Sequence, residues 1–292
     1  MKIIEIVITL VIAFLFASIV MGFIVWPIKA YKERILDPLR EFFGLPISYM
    51  PVMYHFDENS GNSIEDRSNH GNNGIAYDGN PNDGELDPPK WGFDKNKLLG
   101  ASALVFGSGD VTTPNDDDDY IVINENPIYA EMLNKPKDGI TIEFFIRVLE
   151  ELDCDGNDNW RYVVSKGYPN SSYEVRLEED YTISSRFKVK GIVYTIKSDP
   201  VSGNVGWRKW THVAVTYENK TGTAKIFING IQNKKIVFQP GEIDENTGEL
   251  RIGGYNFGCP NGAGVPPAAL DEFRIYNIPL PPEEIIFHYQ GA

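Results

Sequence analysis

Along Trp210-Thr-His-Val-Ala-Val-Thr-Tyr217 the residues alternate, with Thr211, Val213, Val215 and Tyr217 on one side and Trp210, His212, Ala214 and Thr216 on the other. Both sides carry apolar surface, which predicts a strand buried inside a two-layer sandwich. A second run, Lys225-Ile-Phe-Ile-Asn-Gly230, follows after a short loop. It ends in Asn-Gly, a dipeptide that tolerates positive φ at both turn positions and so favours a tight hairpin into Ile231. His212 is mid-strand, where a half-buried core histidine is the expected reading rather than a general base. Short runs of the same kind, separated by Gly, Asn, Asp and Pro turns, occupy 50–56, 73–77, 103–107, 120–123, 140–149, 161–166, 172–178, 184–197, 210–218, 223–229, 249–255 and 268–277. Twelve such runs without an internal repeat predict an all-β, two-sheet antiparallel sandwich. The tail from Pro281 to Tyr289 begins with proline and acids and then turns apolar, which predicts one short helix.

Residues 6–26 break this pattern, being almost wholly apolar and free of ionisable side chains. That length spans a bilayer, and it exceeds the usual apolar segment of a cleaved signal peptide. The expected organisation is a short tail at 1–5, a transmembrane anchor helix at 6–26, a connector at 27–49 and one domain at 50–292. Trp26 suits the headgroup layer. In the connector, Ile28, Tyr31, Ile35, Leu39 and Phe42 recur at helical spacing, interrupted by Pro38. Such a stripe lies on the membrane, docks at home or supports a homo-oligomer.

The chain has 292 residues, 42% hydrophobic and 23% charged, enough for one large core. Its net charge is −14, and beyond residue 49 it holds 22 basic against 37 acidic side chains. That balance disfavours nucleic acid as a partner and fits an exposed external surface. Lys29, Lys32, Arg34 and Arg40 follow the apolar span while only Lys2 precedes it, so the positive-inside count places the domain in the cytoplasm. The acidic body and the Asn-x-Ser/Thr sequences at Asn170 and Asn219 argue for the opposite, extracellular side. Cys154 and Cys259, the two cysteines, sit in polar loops and are candidates for a disulfide.

Several signatures in order resemble a laminin-G-like, concanavalin-A-like jelly roll. The entry strand Tyr54-His-Phe-Asp-Glu-Asn-Ser-Gly61 is followed by Ile64-Glu-Asp-Arg-Ser68 and Asn69-His-Gly-Asn-Asn-Gly-Ile75. Gly100 to Phe106, Tyr120-Ile-Val-Ile123, Ile140 to Ile146, Val164-Ser-Lys-Gly167 and the Trp210 strand come next. Leu270-Asp-Glu-Phe-Arg-Ile-Tyr-Asn-Ile-Pro-Leu280 closes the series, so the resemblance covers roughly 50–290. Longer acidic or proline-rich loops at 78–99, 107–119 and 150–160 depart from it, and loops carry specificity more often than frameworks do.

The resemblance implies a structural calcium, with Asp57 and Asp66 near the start and Asp271 near the end as ligands, and Asn69, Asn72 and backbone carbonyls completing the shell. The competing role for these carboxylates is to cap turns. Asp153-x-Asp-x-Asn157 lacks the glycine and glutamate positions of an EF-hand, and the aspartates at 116–119 read as a hydrated turn. Some relatives on this fold are retaining glycosidases, and Glu242-Ile-Asp-Glu245 approaches their motif, yet its acids do not alternate along a strand. No catalytic residue is assigned. Trp91, Trp160, Tyr168, Tyr255 and Phe257 are candidate stacking platforms for sugar rings. The expected function is non-catalytic recognition of a glycan or surface protein by a membrane-anchored module. A structural or assembly role in an envelope is its main rival, with glycoside hydrolysis the lesser one.

Overall fold

Period-two alternation in β7 (Gly139–Val148) sends Ile140, Ile142, Phe144, Ile146 and Val148 into one continuous core and turns Thr141, Glu143 and Phe145 the other way. Similar strands build two sheets in the computed structural model, which describes residues 49–77, 89–92, 98–106, 119–149, 160–200, 205–206, 208–254 and 268–291. The chain divides into two units, Met1–Ile47 and Ser48–Ala292, and all described residues belong to the second.

The first sheet runs in the order β14 (Ile231–Val237), β13 (Thr223–Ile228), β12 (Thr211–Glu218), β7, β16 (Ala268–Tyr276), β5 (Ala103–Phe106) and β4 (Lys90–Gly92), with β1 (Val52–Tyr54) also paired to β16. The second runs β11 (Ile192–Lys197), β10 (Ile183–Val189), β9 (Tyr173–Glu178), β8 (Trp160–Lys166), β15 (Leu250–Gly253), β6 (Tyr120–Ile123), β3 (Gly74–Tyr77) and β2 (Ser63–Ile64). Every pairing is antiparallel, and the inward residues of both sheets form a single core. This is the sandwich that the alternation predicts. A one-turn helix α1 (Glu131–Asn134) precedes β7, and α2 (Pro282–Gln290) follows β16 with Pro282, Glu283 and Glu284 in its first turn, as the tail sequence leads one to expect.

Three strands go beyond the sequence reading, and one expected run is divided. Residues 184–197 are not one strand: Lys190 and Gly191 both take positive φ, 52° and 77°, and turn the chain between β10 and β11. The strands β2 and β4 are two and three residues long, too short to show a period. The sequence of β14 hides because it is an edge strand with Ile231 and Val237 exposed, so no apolar face is written into it. Another correction concerns His212, which is completely buried rather than half-buried.

Strand register brings several strand ends to one rim. Tyr77 pairs with Tyr120, Tyr120 with Gly253, and Ala268 with both Phe106 and Val148. The strand ends flanking 78–88, 107–118, 150–159 and 255–267 therefore lie together. The anchor segment 6–26, the connector up to residue 48, and Cys154 and Cys259 fall outside the described residues. Among the described residues no helix is long and apolar enough to cross a membrane.

Where β7 begins, only glycine fits. Gly139 has φ +136°, and a Cβ there would stand 2.1 Å from the Tyr217 carbonyl oxygen. Gly139→Ala is expected to cost about 1–3 kcal/mol through backbone strain, with loss of the β7–β12 pairing at its end, read as a lowered urea midpoint.

Candidate functional site

The acids expected at the two chain ends all hold backbone. Asp66 accepts the N–H groups of Met53 at 3.0 Å, Ser68 at 2.9 Å and Asn72 at 2.9 Å, together with the Ser68 hydroxyl at 2.8 Å. Both of its oxygens are thus engaged, tying β1 to the turn that enters β3. Asp57 accepts from Ala101 at 2.5 Å and Ser102 at 3.1 Å, and Asp271 from Leu98 at 2.9 Å, Leu99 at 3.2 Å and Glu272 at 2.9 Å. An early acid and a late acid therefore clamp one segment, Leu98–Ser102, between them. Burial pushes the Asp271 carboxyl up to about 7, against the opposing pull of the Leu98 and Leu99 N–H bonds. Asn72 spends its side chain on the Asn126 N–H and the Pro51 carbonyl, while Asn69 is exposed at a positive φ of 65°. Among the described residues no three His, Cys, Asp or Glu side chains converge as a metal-binding group. Each of these three carboxylates accepts backbone N–H groups, which is the turn-capping role.

The outer face of the second sheet brings aromatic and charged side chains into line. One cross-strand row reads Ile75, Val122, Arg251, Ser165, Glu174, Arg186 and Thr195. Beside it lie Tyr77, Tyr120 and Gly253, and past the bulge in β8 come Tyr162 and Arg176. Tyr77 and Tyr120 stack at 5.4 Å and 21°, and the Arg251 guanidinium sits 4.4 Å from the centre of the Tyr120 ring. Arg251 also holds Glu249 through Nε at 2.8 Å. Tyr77 keeps 40% of its surface open, so this column of ring, ring and cation ends in an accessible aromatic side chain. Inward along the same face, Arg176 covers the Tyr162 ring at 4.8 Å and bonds its hydroxyl at 2.9 Å. The hydroxyl of Ser165, between Arg251 and Glu174 in the row, is buried with no hydrogen-bond partner among the described residues.

Of the aromatic side chains singled out in the sequence, Tyr168 reaches this face, edge-on to Tyr162 at 5.7 Å. Trp91 belongs to the first sheet, where its Nε1 donates to the Gly61 carbonyl at 3.0 Å and its ring packs against the core. The two are not brought together. Trp160 opens β8, and Tyr255 and Phe257 lie outside the described residues. Tyr77, Tyr120 and Tyr162 were missed, although the alternation in Tyr120-Ile-Val-Ile123 does place Tyr120 away from the core.

A second polar cluster lies on the outer face of the first sheet, under α2. Glu143, completely buried, is bonded by Arg274 at 3.2 Å, by the Tyr276 hydroxyl at 3.2 Å and by His288 Nδ1 at 2.9 and 3.1 Å to its two oxygens. His212 Nε2 stands 3.8 Å from the same carboxylate, beyond hydrogen-bond reach. Arg274 continues to Glu272, which meets His55 at 2.7 Å. Burial would raise the Glu143 carboxyl, but attraction to His288 and Arg274 outweighs it and holds the group well below the usual range. Glu143 is thus held by groups of β16 and α2 together, so the cluster fastens the helix to the sheet. Similarly, the buried Lys166 is paired with Glu125 inside the sandwich.

The glycosidase-like segment does not present its acids together either. Glu242 is directed to Lys135 at 3.4 Å and Asp244 accepts the Gly191 N–H at 2.8 Å, while Ile243 between them is buried and bridges to Val189.

Solved structures with the same sandwich include the binding domain of Paraclostridial Mosquitocidal Protein 1 (17% identity, TM-score 0.58, covering 83% of this chain and 52% of that one). Another is the binding domain of botulinum neurotoxin DC, solved in complex with rat synaptotagmin II (14%, TM-score 0.57, 83% and 51%). A third comes from work describing cell entry of botulinum neurotoxin type C as dependent on interaction with two ganglioside molecules (14%, TM-score 0.57, 83% and 51%). At these identities the likeness shows the fold alone, and this chain spans about half the length of each. A search of curated proteins finds no match. The Laminin_G_3 profile matches residues 115–286, more than half of the chain. By that match and by its two antiparallel sheets, the chain belongs to the Laminin_G_3 family of the concanavalin A-like lectin/glucanases superfamily.

Proposed function

We propose that this protein is a non-catalytic recognition module that binds glycan through the outer face of its second sheet. The observation that carries this reading is the column of Arg251, Tyr120 and Tyr77. An open aromatic ring offers a flat apolar surface to the C–H face of a sugar, while Arg251, Glu249 and the tyrosine hydroxyls supply the directed bonds that sugar hydroxyls need. The fold neighbours add support, since two of them are binding domains, one solved in complex with rat synaptotagmin II, and cell entry by the toxin of the third depends on interaction with two ganglioside molecules. The finer reading adds an anchor at residues 6–26 with the domain displayed outside the cell.

A glycan array probed with the full-length chain tests the core of this reading. Binding is expected to weaken about five-fold for Tyr77→Ala and again for Tyr120→Ala, since each ring contributes about 1 kcal/mol. The melting temperature should hardly change for Tyr77→Ala, because that ring is already open to solvent. Undiminished binding by both variants would move the site elsewhere.

A further inference from the structure

Charge is unevenly spread over the sandwich. Residues 186–235 hold ten basic side chains against two acidic ones, Asp199 and Glu218, although an even spread of the 41 acids would put about seven there. That stretch is +8, so the other 242 residues carry −22. It consists of the C-terminal part of β10 followed by β11 to β14 and their connections, and these strands form the open end of both sheets. β11 touches β13 and β14 across the gap between the sheets, so the basic segment makes one flank of the sandwich. The stretch that follows bridges Ile243 to Val189 and bonds Asp244 to the Gly191 N–H, which brings Glu242, Asp244 and Glu245 to the border of this flank and leaves ten basic against five acidic side chains over 186–246.

At the centre of this flank Lys225 and Lys235 are directly opposed across β13 and β14. Their neighbours Ala224 and Ile226 enter the core, which puts both lysines on the outer face. Opposed like charges cost stability in a sheet. Neither lysine makes an ion pair with a described residue, whereas Lys197 and Lys234 close by are paired with Asp180 at 3.0 Å and Asp199 at 2.6 Å. Lysines on an edge strand do guard against aggregation. That accounts for Lys234 and Lys235 on β14, but Lys225 lies one strand in, and glutamate would guard an edge equally well. The excess of basic side chains on this flank, in a chain otherwise rich in acids, suits an anionic partner.

The shape of the flank selects among anions. Lys188 projects from the outer face of the second sheet, since Phe187 and Val189 on either side of it are in the core, while Lys225 and Lys235 project from the outer face of the first. A planar bilayer can meet one of these faces, and an extended polymer can follow the edge around to both. Single-stranded nucleic acid is held by rings interleaved with the cations, and here Tyr194 and Phe238 stack on each other at 4.9 Å. We propose that this flank binds a linear acidic polysaccharide bearing uronate or sulfate groups, with Lys225 and Lys235 at its centre. The inference is independent of the aromatic column on the second sheet.

The test is binding of the full-length chain to immobilised dextran sulfate and polygalacturonate, with neutral dextran as control, at low and high salt. Binding to both acidic polymers, weakened by salt and absent on neutral dextran, is expected. The double variant Lys225→Gln/Lys235→Gln should bind about ten-fold more weakly, with a shallower salt dependence. Its melting temperature should be no lower than that of the wild type, because a like-charge pair is relieved. Lys137→Gln, which removes an exposed lysine paired with Glu131 at 2.9 Å, should bind as the wild type does. Equal binding by the double variant and the wild type would overturn the proposal. So would lysine-dependent capture by anionic lipid vesicles or by a second copy of the chain without binding to either polysaccharide.

Discussion

Glu143→Leu is expected to lower the unfolding free energy by about 3–5 kcal/mol, among the largest effects of any single substitution in this chain. The carboxylate is completely buried and is the point where Arg274, Tyr276 and His288 meet. Removing it leaves Arg274 with Glu272 alone and strips His288 of its partner on the sheet. Because His288 is the polar link from α2 to β7, the local consequence should be a loosened helix. Hydrogen exchange should show residues 282–290 losing protection well before the core strands do. Adding Arg274→Met should recover part of the loss, since an apolar pair tolerates burial where a lone charge does not. The pH dependence has a definite sign. A carboxyl held well below its ordinary value in the folded state contributes stability that is fully present above the unfolded value, near 4.5, and is lost as pH falls through the folded one. The gap between wild type and Glu143→Gln in urea unfolding should therefore shrink as pH falls below about 5. A gap that widens in acid would refute the assignment.

Glu143 also shows where sequence reading stops. It stands in Ile140-Thr-Ile-Glu-Phe-Phe-Ile146, whose alternation places the glutamate away from the core, on a face that a lone sheet would leave in water. Nothing in the period of β7 reveals that a helix from the far end of the chain will cover that face, or that β16 will bring Arg274 alongside. For the same reason His212 reads as half-buried: its strand was correctly placed, and the second layer over it was not. The sandwich itself was legible because period two is a local signal that each strand repeats, and both sheets drain the same kind of residue into one core. Lateral order is not local. Tyr77 and Tyr120 are 43 positions apart and become stacked neighbours only through the β3–β6 register, so the aromatics chosen from loops missed them. The basic flank is in the same class, since its charges are visible in the sequence as a count and acquire a surface only when β10 to β14 close one side of the sandwich.

Asp66→Ala is expected to destabilise the domain by about 3–4 kcal/mol, because three backbone N–H donors and one hydroxyl lose their acceptor at once in a buried turn. Asp66→Asn should cost less, since one of its two terminal atoms still accepts. Turn capping and a calcium staple differ in what a chelator does to these numbers. If the carboxylate acts through N–H groups, the loss measured by urea unfolding is the same with calcium and with chelator, as donors that belong to the chain are present in both. If an ion sits on Asp57, Asp66 and Asp271, the wild type melts higher with calcium, and Asp66→Ala and Asp271→Ala abolish that rise. The geometry favours the first outcome. Both Asp66 oxygens already accept two donors each, and a cation drawn to them would face the positive ends of those N–H dipoles. An unchanged melting curve on adding calcium, with the full Asp66→Ala loss in chelator, is the result this arrangement leads one to expect.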